Sequence, residues 1–194
     1  MSDRLDRRQA VARLLAQRGG CLVVTGLGAP TYDVAAAGDD DRNFYLWGAM
    51  GGAAMVGLGL ALAQPEKSIV VVTGDGEMLM GLGAFATIGA QQPQNLTIVV
   101  LDNRAYGETG GQPSHTALGA DLAAIARGSG VAEAMHVTTL AEIDALAATL
   151  AAPAGNPRVI VVAIDAADQP RVIPERDGAV LKTRLRAALG LPAM

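Results

Sequence analysis

The sequence predicts an α/β fold, a doubly wound and mainly parallel sheet with helices on both faces. Apolar runs of strand length alternate with segments of helical length, an order typical of parallel strands joined by crossover helices. The strand runs are continuous in valine, isoleucine and leucine, as expected when helices bury both faces of a sheet. The chain has 194 residues, 51% of them hydrophobic, which is enough for one sizeable core. We therefore expect a single domain over residues 1–194.

The individual elements follow in order along the chain. Strands are expected at residues 21–25, 43–47, 68–73, 96–101, 133–137 and 158–164. Helices are expected at residues 4–18, 31–37, 78–90, 121–127, 140–150 and 178–189, with a further one that ends near residue 63. Thr139 and Glu142 have the spacing of a capping box at the start of one of these helices. The polar stretch 103–117 predicts a long loop without regular periodicity, a type that is often functional.

Composition excludes several classes of function. The formal net charge of −4 and the absence of a basic tract argue against nucleic-acid binding. The single cysteine, Cys21, provides neither a disulfide framework nor a metal cluster, and it is interpreted as a buried core residue. The first fifteen residues have mixed charge and no apolar signal core, so we expect a cytoplasmic protein.

One segment resembles a membrane span in its composition. No charged residue occurs between Arg42 and Glu66, which approaches the length of a spanning helix. However, several glycines fall inside this segment, and Pro65 ends it. A buried, closely packed helix is therefore the favoured interpretation, and no membrane association is expected.

Two strand ends carry the residues that point to chemistry. Gly74-Asp75-Gly76 ends the third predicted strand and Asp102-Asn103 ends the fourth, and ligands of such sheets bind outside the carboxyl ends of the strands. Asp75 and Asn103 offer hard oxygen ligands, to which a backbone carbonyl could add a third, a set that suits Mg²⁺. Gly74 and Gly76 allow close approach of a ligand, and a helix beginning near Glu77 would point N–H groups at a phosphate.

These residues resemble a known signature. Gly74-Asp75-Gly76, followed after 26 residues by Asn103, is similar to the motif of thiamine diphosphate enzymes and of the thiamine diphosphate-binding fold. The resemblance implies that Asp75, Asn103 and the Ala105 carbonyl bind Mg²⁺. It also implies that the diphosphate and the rest of the cofactor lie against Gly74, Gly76, Glu77 and Tyr106. Glu77 replaces the small residue that is commonest at its position, so its side chain must turn away or find a partner.

A second segment extends the resemblance. Gly48-Ala49-Met50-Gly51 is similar to the segment that holds the cofactor in a bent conformation, with Met50 between its two rings and the Gly48 carbonyl accepting from its amine. Together with Arg42-Asn43-Phe44-Tyr45 and the stretch 103–113, it resembles β subunits of sulfopyruvate decarboxylase. Phosphonopyruvate decarboxylases share the Thr-Gly-Gly-Gln element at 109–112.

This resemblance implies a carbon–carbon lyase. The expected reaction is decarboxylation of sulfopyruvate, an anionic 2-oxo acid, to sulfoacetaldehyde and carbon dioxide. The chain would be active only with a partner α subunit, whose pyrimidine-binding domain carries the glutamate that activates the cofactor, in a hetero-oligomer. Glu108, Gln112 and His115, in the predicted loop, are the candidates for substrate contact or proton transfer, although a solvent-facing role for His115 is also open.

Other functions remain open on the sequence. A phosphonopyruvate decarboxylase, or a decarboxylase or carboligase for another 2-oxo acid, would carry the same motifs. A 2-oxo acid:ferredoxin oxidoreductase β chain would share the cofactor signature but should have clustered cysteines, which this sequence lacks. A noncatalytic, regulatory subunit that binds thiamine diphosphate is a further alternative. A dinucleotide-binding dehydrogenase is disfavoured because no Gly-x-Gly-x-x-Gly follows the first predicted strand.

Overall fold

The computed structural model describes residues 4–192; Met1–Asp3, the beginning of the N-terminal stretch considered above, lie outside it. The strands are β1 (Leu22–Thr25), β2 (Asn43–Tyr45), β3 (Ile69–Gly74), β4 (Leu96–Asp102), β5 (Ala105–Tyr106), β6 (Gln112–Pro113), β7 (Glu133–Val137) and β8 (Arg158–Ala163). The α-helices are α1 (Arg7–Leu15), α2 (Ala29–Ala36), α3 (Ala53–Ala63), α4 (Asp75–Met80), α5 (Ala84–Gln91), α6 (Leu122–Gly128), α7 (Leu140–Ala147) and α8 (Gly178–Ala188). A 3₁₀ turn spans His115–Leu118.

Six strands form one parallel sheet in the order β2-β1-β3-β4-β8-β7, which confirms the predicted fold class. The chain moves from β1 to β2 on one side and then returns to place β3 on the other side of β1. This reversal of strand order, between β1 and β3, is the topological switch point at which ligands of open α/β sheets bind. The turn after β1 and the start of α4 both lie at this end of the sheet.

The sheet separates two apolar layers. One face packs against α3, α5 and α6 and is built around Phe85, Ile98 and Val161. The other packs against α1, α2 and α7, around Leu14, Val99 and Ile160. In β1, β3, β4 and β8, neighbouring residues alternate between the two layers, so both faces of these strands are covered and their sequences are largely apolar. Cys21 lies in the second layer and is fully buried, as predicted.

The apolar segment after Arg42 forms a short helix. Helix α3 has 11 residues, and Gly52, the N-cap residue that precedes it, provides no side-chain cap. Among residues 4–192, no helix is both long and apolar enough to cross a membrane. By contrast, α7 begins with the capping box that the sequence predicts, since Thr139 accepts from the Glu142 amide and Glu142 accepts from the Thr139 amide.

Three predictions about local structure were wrong. The helix expected at 78–90 is two helices, α4 and α5, separated near Gly81, and α4 begins at Asp75 rather than near Glu77. The apolar pattern runs through both helices, so periodicity alone could not locate the break. The loop expected at 103–117 contains the antiparallel pair β5–β6 and a 3₁₀ turn. The pairing of β5 with β6 joins the loop to itself, a feature that hydrophobic periodicity does not report.

Candidate functional site

A pocket opens at the switch point of the sheet. Its walls come from the turn after β1 (residues 27–30), the junction of β3 and α4 (74–77) and the loop after β4 (103–109), together with Met50 and Ile164. Two of the three walls are the strand ends that the sequence singled out. The parallel register, which pairs Gly74 of β3 with Leu101 of β4, brings these ends side by side. The tertiary structure thus assembles the two predicted motifs at one edge.

Asp75 is buried at the floor of this pocket, with 1% of its surface exposed. Its Oδ2 accepts hydrogen bonds from the hydroxyls of Ser114 and Thr116, the latter at 3.1 Å. Thr116 Oγ1 also lies 2.7 Å from Oδ1 of Asp102, so its single hydroxyl proton is shared between two carboxylates. Burial raises the pKa of Asp75; the Ser114 hydrogen bond opposes that shift, and the nearby Asp102 charge adds to it. A bound cation would relieve this crowding of negative charge.

Asn103 and Ala105 lie at the second strand end. The Asn103 side-chain oxygen accepts from the Ala105 amide at 2.9 Å, which folds the chain back immediately after β4. Between them, Arg104 has a positive φ of 62°, and its amide donates to Asp102. This tight turn brings a side-chain amide oxygen and a main-chain carbonyl close to the pocket that Asp75 also lines. The three residues provide only oxygen donors, which is the chemistry that Mg²⁺ prefers.

The first turn of α4 supplies backbone N–H groups at the pocket. Gly76 packs under the ring of Tyr106, and an added Cβ would lie 2.6 Å from that ring. Glu77 lies in the same turn, but its side chain turns away from the opening and is 3% exposed. Its Oε2 accepts from Thr73 Oγ1 at 2.9 Å and from the Leu27 amide at 3.1 Å. The predicted need for a partner at this position is met by these two donors.

The segment Gly48–Gly51 approaches the pocket from the other side. Met50 lines the pocket and is half-buried, whereas Gly48 is exposed and has a positive φ of 74°. Gly51 contacts the chain at the break between α4 and α5, where a Cβ on Gly81 would lie 2.2 Å from the Gly51 carbonyl oxygen. The break that separates the two helices therefore also fixes the position of the segment that carries Met50.

The hairpin after β4 holds the remaining candidate residues. Glu108 lines the pocket, and its side chain occupies the space beside Gly28, where a Cβ would lie 2.6 Å from it. His115 is exposed and contacts the pocket residue Tyr106, with 2.7 Å between Nδ1 and the Tyr106 hydroxyl. Gln112 is also exposed and donates to the Thr109 carbonyl at 3.3 Å. Of these three candidates, only Glu108 faces the pocket directly.

Three residues of this site, Asp102, Ser114 and Thr116, were not predicted to have a role of their own. In the sequence Asp102 stands out only as the neighbour of Asn103, and the two hydroxyl residues fall within a loop without periodicity. Both hydroxyl side chains are buried, at 0% and 8% exposed, against the Asp75 carboxylate. The Ser-x-Thr spacing directly after a Pro is a weak signal, which becomes informative only when the loop is known to fold back over the strand ends.

The chemistry of the pocket fits a hard cation bound together with a phosphate group. Its donors are a carboxylate, an amide oxygen and a carbonyl at one side, with free helix N–H groups at the other. Within the part of the chain that the structure describes, no cluster of three His, Cys, Asp or Glu side chains is arranged to hold a metal. A cation here would therefore depend on main-chain and amide oxygens and on the ligand's own phosphates.

Known proteins resemble this chain in sequence and in fold. Sulfopyruvate decarboxylase subunit beta of Methanocaldococcus jannaschii is 44% identical over 110 residues, which are 57% of this chain and 58% of that protein. Phosphonopyruvate decarboxylase of Streptomyces viridochromogenes is 39% identical over 97% of this chain and 47% of its own length. This chain thus spans about half of each relative. The structure of benzoylformate decarboxylase from Polynucleobacter necessarius has a similar fold, with a TM-score of 0.70 and 22% identity, over 84% of this chain and 34% of that one.

A family model provides the assignment. The model of the C-terminal TPP-binding domain of thiamine pyrophosphate enzymes matches residues 32–164. This range includes Met50, the Gly74–Glu77 junction and Asn103, so the match covers most of the residues that line the pocket as well as more than half of the chain. The chain therefore belongs to the thiamine pyrophosphate enzyme family and carries its C-terminal TPP-binding domain.

Proposed function

We propose that this chain is the β subunit of a two-chain 2-oxo acid decarboxylase that depends on thiamine diphosphate and Mg²⁺. The proposed substrate is sulfopyruvate, which is converted to sulfoacetaldehyde and carbon dioxide. The observation that carries the proposal is the convergence of Asp75, Asn103 and Ala105 on one pocket at the switch point of the sheet. The 44% identity with a protein named sulfopyruvate decarboxylase subunit beta supports the choice of reaction.

Asp75, Asn103 and the Ala105 carbonyl would hold the Mg²⁺. All three residues offer oxygen ligands at the pocket wall. The buried side chain of Asp75 accepts hydrogen bonds from the hydroxyls of Ser114 and Thr116. These donors, Ser114 and Thr116, fix the orientation of Asp75 because both bind the same carboxyl oxygen. The amides of Gly76 and Glu77, in the first turn of α4, would bind the diphosphate.

When bound, thiamine diphosphate supplies the electron sink that a 2-oxo acid needs in order to lose carbon dioxide. The residues of this chain would orient it and exclude water. Met50 would support its rings, with the Gly48 carbonyl accepting from its amine, and Tyr106 covers the Gly76 backbone. His115 reaches the pocket through its contact with the Tyr106 hydroxyl, a route by which a proton could be exchanged with solvent. Glu108 and Gln112 are the proposed substrate contacts of the hairpin.

We propose that the activating glutamate comes from the pyrimidine-binding domain of a partner α subunit. The word "subunit" in the name of the M. jannaschii relative supports a hetero-oligomer. Exposed apolar side chains on α3 and α4, at Met55, Leu62 and Met80, provide a surface suited to a subunit contact. We further propose that the assembly works in the cytoplasm.

A pull-down of the chain from its own cells, with mass spectrometry of what it brings, tests the two-chain proposal. We expect a stoichiometric partner with a pyrimidine-binding domain and its glutamate. The reconstituted pair would then be assayed on sulfonated, phosphonated and unsubstituted 2-oxo acids. Recovery of the chain with itself alone would contradict the two-chain decarboxylase and favour a noncatalytic subunit that binds the cofactor.

The phosphonopyruvate alternative has its own supporting observation. The S. viridochromogenes relative, named phosphonopyruvate decarboxylase, is similar along 97% of this chain, a longer match than that with the M. jannaschii protein. A phosphonate and a sulfonate differ mainly in charge, so the substrate panel separates them directly. A higher kcat/KM for phosphonopyruvate would replace sulfopyruvate as the proposed substrate without altering the proposed cofactor site.

The metal site can be tested by removing the carboxylate. Asp75→Ala should abolish Mg²⁺-dependent binding of thiamine diphosphate while the far-ultraviolet circular dichroism spectrum stays that of the wild type. Asp144→Ala is the matched control, because Asp144 lies on α7, is exposed and pairs with Arg13 at the surface. Unchanged Mg²⁺ dependence in Asp75→Ala would show that the metal ligands lie elsewhere.

A further inference from the structure

The side chain of Glu77 contacts the turn after β1 and the end of β3 and lies near the start of α3. Its Oε2 accepts from the Leu27 amide, in the turn after β1, and from the Thr73 hydroxyl at the end of β3. The turn can approach this closely only because residue 26 is glycine, since a Cβ there would lie 1.4 Å from Oε2. Gly26 does not have a positive φ, so the requirement for glycine at this position is steric rather than conformational.

The Glu77 carboxyl group also interacts with the backbone at the start of α3. Oε1 is buried and forms no hydrogen bond within the described chain. Burial raises the pKa of the Glu77 carboxyl, whereas the Thr73 hydroxyl and the backbone N–H groups of Ala53, Gly51 and Leu27 oppose that shift by favouring the charged form. Ala53 is the first residue of α3, a helix of 11 residues that has no side-chain cap. A carboxyl group at this end therefore complements the helix dipole and the unpaired amides.

We propose that Glu77 is a positioning residue that holds the turn after β1 and the start of α3 in place against the end of β3. It acts on the cofactor through two residues that line the pocket, Leu27 in the turn after β1 and Met50 in the segment that leads into α3. The inference rests on the proposed cofactor site, and it assigns to the side chain a role that is separate from that of the Glu77 amide. A small residue at this position could not reach either segment.

Amide hydrogen exchange in the full chain without cofactor tests the first contact. In Glu77→Ala, exchange at Leu27, followed by NMR, should become about tenfold faster or more, because its acceptor is removed. The Gly26 amide donates to Val72 in the sheet and provides the internal reference. Glu77→Gln keeps a side-chain oxygen as acceptor and should restore most of the protection. Glu142→Ala, which frees the Thr138 and Thr139 amides at the distant edge, should leave Leu27 unchanged.

Cofactor affinity tests the positioning role. With saturating Mg²⁺, thiamine diphosphate should bind Glu77→Ala about tenfold more weakly or worse, and Glu77→Gln within about threefold of the wild type. Glu142→Ala should bind like the wild type even if its Tm falls, which separates positioning from general stability. Equal affinity in Glu77→Ala and the wild type, with unchanged exchange at Leu27, would overturn the inference.

A paired substitution provides an independent test. Gly26→Ala places a methyl group onto the Glu77 carboxyl and should weaken cofactor binding. In the double variant with Glu77→Ala the methyl group has space, so affinity should recover at least to that of Glu77→Ala alone. Additive losses would contradict the contact. If the wild type itself binds no thiamine diphosphate while Leu27 exchange still responds to Glu77→Ala, the proposed function fails and the structural link between these segments stands.

Discussion

The close contact between Gly81 and Gly51 leads to a prediction with a defined magnitude. In Gly81→Ala the new methyl group would lie 2.2 Å from the Gly51 carbonyl oxygen and 3.0 Å from its carbonyl carbon. Both neighbours are backbone atoms, so no side-chain rotation can relieve the overlap, and the two segments must separate by about 1 Å. Gly81 has a φ of −97°, which alanine adopts without strain, so the effect isolates the close approach.

We expect Gly81→Ala to lower the free energy of unfolding by about 1–3 kcal/mol, the usual cost of overpacking. Because Gly51 follows Met50 directly, we also expect an affinity for thiamine diphosphate that is about tenfold lower. Urea denaturation and cofactor titration measure the two effects. Gly83→Ala is the matched control, since residue 83 has a helical φ of −59° and the methyl group that alanine adds there would have no described atom within 4 Å.

The control should stay within about 1 kcal/mol of the wild type and bind cofactor normally. If Gly81→Ala and Gly83→Ala behave alike in both measurements, the contact between the helix break and the Gly48–Gly51 segment does not determine the shape of the pocket.

Two further predictions concern the hairpin and a helix cap. Tyr106→Phe keeps the ring over Gly76 but removes the 2.7 Å contact with His115. Cofactor affinity should stay within about twofold of the wild type, while the NMR resonances of the His115 ring move; unchanged His115 ring resonances would contradict the contact. Asp121 caps α6, and its pKa is lowered mainly because its carboxylate accepts from the Ala124 amide. The stability that this carboxylate contributes is therefore complete above the unfolded pKa of 3.8 and is lost as pH falls through the lower folded pKa. Asp121→Asn keeps a capping side chain that does not titrate. In urea denaturation from pH 6 to about pH 3, this variant should lose less stability than the wild type. Equal losses in the two proteins would show that the Asp121 cap is not the source of the pH dependence.

Much of the fold follows from local sequence patterns. Four strands of the main sheet, β1, β3, β4 and β8, lie within a few residues of the continuous valine, isoleucine and leucine runs, because such runs are stable only when both faces of a sheet are covered. The capping box at Thr139 was also predicted, since it depends on residues three positions apart. The separation of α4 from α5 was not, because an apolar segment gives the same pattern whether or not its helix is interrupted.

The sequence by itself determined which residues to propose for the chemistry: Asp75, Asn103 and Met50 were predicted from their motifs, and the range matched by the family model includes all three positions. Only the tertiary structure decided how they are supported. The hydroxyls of Ser114 and Thr116 reach Asp75 across about forty residues of chain, and Glu77 reaches the Leu27 amide across fifty. Contacts over such separations depend on strand order and loop closure, which set distances that no local pattern of side chains encodes.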